Sequence, residues 1–91
     1  MGIERTVFKS EEKKSVADIA ATLRQIADKI EAGSLTLKKG NRETRLDFPP
    51  TLTLELKVEE ELGLKLKKSF EIELEWIHGA KDAADGETAI L

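Results

Sequence analysis

Residues 51–76 read TLTLELKVEEELGLKLKKSFEIELEW, and the alternation in this stretch decides the fold. Leu52, Leu54, Leu56 and Val58 alternate with Thr53, Glu55, Lys57 and Glu59. After a break around Gly63 the same even phase returns in Phe70, Ile72, Leu74 and Trp76, with Glu71, Glu73 and Glu75 between them. A period of two with one apolar and one charged face is the pattern of half-buried antiparallel strands. Side chains change face at every residue, so equal parity at both ends requires an odd-numbered loop. The register that satisfies it pairs Val58 with Phe70, Leu56 with Ile72, Leu54 with Leu74 and Leu52 with Trp76. It also sets Glu60 opposite Lys68 and Lys57 opposite Glu71, and leaves one like-charge pair, Glu55 with Glu73.

Upstream, Phe48-Pro49-Pro50 interrupts pairing, because neither proline can donate to a ladder. Before it, Leu35 and Leu37 are apolar at odd positions and Leu46 and Phe48 at even ones. A two-residue turn at Gly40-Asn41 explains the change of phase, facing Leu35 to Leu46, Leu37 to Thr44 and Lys38 to Glu43. Gly first in a two-residue loop predicts a type II′ hairpin turn. Further upstream, Val16, Ile19, Ala20, Leu23, Ile26, Ala27 and Ile30 form one stripe at helical period. Ser15 with Asp18 marks the start of that helix, and Gly33 its left-handed end. Val7 and Phe8, among polar neighbours, suggest a first strand over Ile3 to Lys9. Past Ile77 the periodicity stops, and residues 78–91 read as a flexible C-terminal tail.

The 91 residues make one domain, well solvated with 36% charged side chains. A net charge of -3 argues against a general nucleic-acid footprint or a polybasic membrane patch. The absence of Cys excludes disulfides, thiolate zinc and iron–sulfur sites. With no apolar run long enough for a membrane span and no signal-peptide layout, the expectation is a soluble cytoplasmic protein. Lys and Glu supply 24 residues, and Gln25 and Asn41 are the only side-chain amides. That bias is the compositional pattern of hyperthermophile proteins.

In this order the elements resemble the amphi-Trp domain family, small prokaryotic domains named for amphipathic strands and a late tryptophan. The resemblance rests on the early segment ending in Phe8, the helix Ser15 to Gly33 with its Leu23-Arg24-Gln25-Ile26-Ala27-Asp28 run, and the Leu52–Val58 strand. The closing Glu71-Ile72-Glu73-Leu74-Glu75-Trp76 completes it. It covers residues 3–77, leaving the loop at Glu60–Lys68 and the tail unmatched. The resemblance implies a domain of unknown function without accepted catalytic residues, and Trp76 as its signature position. Residues 1–77 then form one amphi-Trp-like domain.

No active site assembles in the sequence. His78 is the only histidine, so neither a multi-histidine metal site nor a histidine relay exists. Ser10, Ser15, Ser34 and Ser69 lack a nucleophile-elbow pattern. Glu55, Glu59, Glu71, Glu73 and Glu75 share the outward face of the last two strands, where flat carboxylates do not enclose an ion. Lys38, Lys39, Arg42 and Arg45 make a basic hairpin that offers phosphate contacts, without aromatic residues for base stacking.

The expected fold is therefore α+β in two layers, one amphipathic helix on a mainly antiparallel sheet of four or five strands, in the order β-α-β-β-β-β. Its core is expected to set Val16, Ile19, Leu23, Ile26 and Ile30 against Leu35, Leu46, Leu54, Leu56, Phe70, Ile72 and Leu74. The expected function is a non-catalytic interaction or accessory domain with no cofactor or metal. The alternatives are a nucleic-acid contact through Lys38–Arg45, or a small-ligand module, which needs a pocket of ~300 Å³ or more with converging polar groups. Five strands spaced ~4.8 Å apart span more than the ~10–12 Å that one helix covers. That shortfall points to a homodimer or a protein partner, with Trp76, Leu52 and Phe48 near the contact.

Overall fold

The structure, a computed structural model, describes residues 2–79. Its first regular element is α1, Val16–Ala32. The Ser15 side chain accepts from the backbone N–H of Asp18 at 3.1 Å, which satisfies one of the unpaired first-turn amides. Asp18 in the first turn and Lys29 in the last complement the helix dipole. Gly33 ends the helix at φ 95°, and its N–H returns to the Ile30 carbonyl at 3.0 Å.

The chain then forms β1, Ser34–Lys39, and β2, Arg42–Asp47, paired antiparallel. Leu35 meets Leu46, Leu37 meets Thr44 and Lys38 meets Glu43, the expected register. Gly40 has φ 58° and Asn41 no positive φ, consistent with a II′ turn and inconsistent with I′, which needs both. At the open end, the Phe48 N–H donates to the Gly33 carbonyl at 2.9 Å, continuing the ladder to the helix cap. α1 packs on β1, and Ile26, Ile30, Leu35, Leu37 and Leu46 are half-buried there.

The second pair is β3, Thr53–Leu62, with β4, Leu66–Glu75. Every sequence-derived pair from Leu54–Leu74 through Val58–Phe70 to Glu60–Lys68 lies in this ladder. The connection is Gly63-Leu64-Lys65, three residues and therefore odd, closed by a bond from the Gly63 N–H to the Lys65 carbonyl at 3.3 Å. The strands run past the residues that alternate cleanly, because Leu62 and Leu66 keep the even phase on either side of the loop.

Three expectations are corrected. Among the described residues, four strands form two two-stranded sheets, β1–β2 and β3–β4, and not one sheet of four or five. The chain divides between Phe48 and Pro49 into two compact units. Pro49 and Pro50 supply no N–H, so the ladder that ends at Phe48 is not carried on into β3. Ile3 to Lys9 forms no strand, and the observed order is α-β-β-β-β. Its adjacent apolar residues Val7 and Phe8 would point to opposite faces of a strand, so no one-sided row holds it to a sheet. Finally, no described residue is fully buried. Of the expected core residues, Ile26, Ile30, Leu35, Leu46 and Leu74 are half-buried, whereas Val16, Ile19, Leu23, Leu54, Leu56, Phe70 and Ile72 are exposed. The expected tail lies, from residue 80 onward, outside the described residues.

Candidate interaction surface

The two faces of the β3–β4 hairpin differ sharply in chemistry. On the even face stand Leu54, Leu56, Val58 and Leu62 of β3 with Leu66, Phe70, Ile72 and Leu74 of β4. Val58 is 72% exposed, Phe70 63% and Ile72 48%. Fully burying one such side chain stabilises by ~1.5–3 kcal/mol. Six of them, Leu54, Leu56, Val58, Leu62, Leu66 and Phe70, are more than half exposed and leave on the order of 5–10 kcal/mol unrealised, comparable with the whole stability of a small domain. Within this row sits one charged pair, Glu60 and Lys68, bridged at 3.3 Å as the register requires.

The odd face is charged throughout. Lys57 lies between Glu59 and Glu71, at 3.5 and 3.4 Å. The two carboxylates, Glu59 foremost, raise its pKa above the ordinary 10.5. Glu55, Glu73 and Glu75 bring carboxylate oxygens within 4.8 Å of one another, all on exposed side chains. They are the like-charge pair expected from the register plus its neighbour, on an open face with no enclosing walls.

Leu52 and Trp76, the residues singled out for an interaction surface, both stand one position outside the ladder at the base of this hairpin and are half-buried. Phe48, the third, belongs to the other unit and is half-buried beside the helix cap that its N–H contacts. Sequence reasoning missed the hairpin tip, where Leu62 is 85% exposed and Leu64 and Leu66 are also open to solvent. The signal was available in the parity of Leu62 and Leu66 about Gly63.

The basic hairpin does not form one patch. Lys39 and Arg42 are cross-strand partners on the face that carries Leu35 and Leu46, while Lys38 and Arg45 lie on the other face with Glu43 and Asp47. The Arg45 guanidinium holds the Asp47 carboxylate at 3.0 Å, through Nε and Nη2. Between α1 and β1 runs an open groove of about 530 Å³, lined by Thr22, Gln25, Ile26 and Lys29 from the helix and by Leu35 and Leu37 from the strand. His78 is exposed.

A helix capped at both ends, two antiparallel hairpins and an apolar row left open on one of them define a small amphipathic α+β domain. The chain belongs to the Amphi-Trp domain family, which it matches over residues 1–91. The match takes in the loop at 60–68 and the residues beyond 77, both left outside the sequence resemblance. No curated protein and no solved structure matches the chain. No helix among the described residues is long and apolar enough to cross a membrane.

Proposed function

We propose that this domain is a non-catalytic interaction module that works by offering the even face of the β3–β4 hairpin to a protein surface. The observation that carries the reading is the one-sided row Leu54, Leu56, Val58, Phe70 and Ile72, each about half to three-quarters exposed. Contiguous apolar surface of this kind marks interaction sites in folded proteins. Half-buried Trp76 and Leu52 extend the row at its base, a position that suits a tryptophan at the rim of a contact. The rival readings find less support. A phosphate-binding ribbon wants its charges on one face, and here they are split between two with acidic neighbours. A ligand module wants enclosed polar groups, and the α1–β1 groove is open with an apolar floor of Ile26, Leu35 and Leu37.

The test is thermal stability of the full chain against divalent metals, nucleotides and common metabolites. The expected result is no shift beyond about 1 °C for any of them, and reproducible stabilisation by one, with a midpoint that rises with its concentration, overturns the reading.

A further inference from the structure

We propose that the occupant of this face is a second copy of the same chain, packed hairpin face on hairpin face about a two-fold axis that runs along the strands. The inference rests on the interaction reading above and commits it to a partner and a geometry.

The charges choose the face. The odd side of β3–β4 carries Glu55, Glu59, Glu61, Glu71, Glu73 and Glu75 against Lys57 and Lys67, so two copies meeting there repel. The even side carries one acid and one base, Glu60 and Lys68, and is neutral. Area agrees with charge. Leu54, Leu56, Val58, Leu62, Leu66, Phe70 and Ile72 are each about half exposed or more. Together they offer on the order of 700 Å² of apolar surface per copy, close to the ~800 Å² per partner of a standard stable interface. Edge-to-edge pairing would leave that surface in water on both copies. Face-to-face packing covers it on both at once.

The Glu60–Lys68 pair then chooses the orientation. Two aligned sheets pack with their strands within about 30° of each other, which leaves two two-fold arrangements. In one, the hairpins point in opposite directions and β3 lies over β3 of the second copy. Glu60 then faces either the Glu60 of that copy or its leucines, and a buried charge is left opposed or unpaired. In the other, the axis runs along the strands, both tips lie at the same end, and β3 covers β4 of the second copy. Glu60 of each copy then faces Lys68 of the other, and two intrachain ion pairs become one alternating four-charge cluster inside an apolar contact. The open tip residues Leu62, Leu64 and Leu66 of the two copies meet at one end.

Sedimentation equilibrium of the full chain at micromolar concentration is expected to give a concentration-dependent species at twice 10.1 kDa. Glu60→Lys alone, or Lys68→Glu alone, puts four like charges in place of the alternating cluster and is expected to weaken self-association about a hundredfold. An equimolar mixture of the two single variants restores it, because each supplies the charge that the other lacks. The chain has no cysteine, so a lone Leu62→Cys gives a unique thiol. A short bismaleimide is expected to join two such chains, since the opposed arrangement would separate these positions by about 30 Å. A chain that stays at 10.1 kDa, or a dimer indifferent to both charge variants and not joined at Leu62→Cys, overturns the proposal. Maleimide reactivity of a Val58→Cys chain separates the two levels. A reactive thiol on a monomer overturns the dimer and leaves the interaction surface standing, whereas a protected thiol on a monomer overturns both.

Discussion

At the scale of single residues, the positions that carry most information are those with special backbone or charge. Ser15 and Gly33 bracket α1 in the sequence and cap it in the structure, since both act through local bonds that need no tertiary context. Replacing Gly33 by Ala meets no steric neighbour, so its cost is the left-handed backbone alone. We expect Gly33→Ala to lower stability by about 1–2 kcal/mol in urea unfolding, with Gly33→Asn milder because Asn tolerates that region. Lys57 holds its proton above the ordinary pKa, its charged form favoured first by Glu59 and then by Glu71. A group whose pKa is higher in the folded chain stabilises fully below its unfolded pKa and loses that effect as pH rises through the folded value. The Lys57 contribution is therefore constant at neutral pH and fades only above 10.5. A side-chain NMR titration should place its midpoint above the ordinary 10.5, and a Glu59→Gln substitution should bring it down. The charge partners were legible because register alone set Lys57 against Glu71 and Glu60 against Lys68.

At the scale of elements, both hairpins were legible to the residue. Parity allows few registers once a loop is located, and a one-residue slip would turn Leu54, Leu56 and Val58 onto the charged face. What the periodicity could not supply was how hairpins join. Strand period reports that one face is dry, and not which neighbour dries it, so the single sheet expected from four strands is two pairs. The first strand failed for a related reason, since Val7 and Phe8 are apolar without alternating. The interaction residues divide the same way: Leu52 and Trp76 follow from the β3–β4 register, whereas the tip Leu62 to Leu66 looked like a break because Gly63 stands in it. The β1–β2 turn offers a clean test of element stability. With Gly40 at φ 58° and open space around it, an L-alanine is strained while a D-alanine is at ease. Gly40→Ala is expected to cost about 1 kcal/mol and a D-alanine at that position nothing, read by amide exchange of Leu35 and Leu46 across the ladder.

At the scale of the whole molecule, the open question is what balances the entropy of ordering this chain. Isolated two-stranded hairpins are marginal in water, and of the two here β1–β2 has α1 packed on its first strand, with no fully buried residue among those described in either unit. The charged face of β3–β4 adds little, because exposed ion pairs such as Lys57–Glu71 contribute ~0–1 kcal/mol each. Composition carries the opposite expectation, since abundant Lys and Glu with few amides is the pattern of hyperthermophile proteins. The two observations agree if stability is drawn from association, since a partner that binds only the folded chain raises its apparent stability by mass action. The thermal midpoint should then exceed about 60 °C, the ordinary mesophile range, and climb by several degrees for each tenfold rise in chain concentration. Ile72→Glu, on the even face, should abolish that climb and lower the midpoint. Glu73→Gln, its neighbour on the odd face, should leave the concentration dependence intact, because it removes a charge from the Glu55, Glu73 and Glu75 cluster without touching the apolar row. Scanning calorimetry over a hundredfold range of concentration makes the comparison. A midpoint below about 60 °C would overturn the high-temperature expectation, and one that ignores concentration would overturn stabilisation by association.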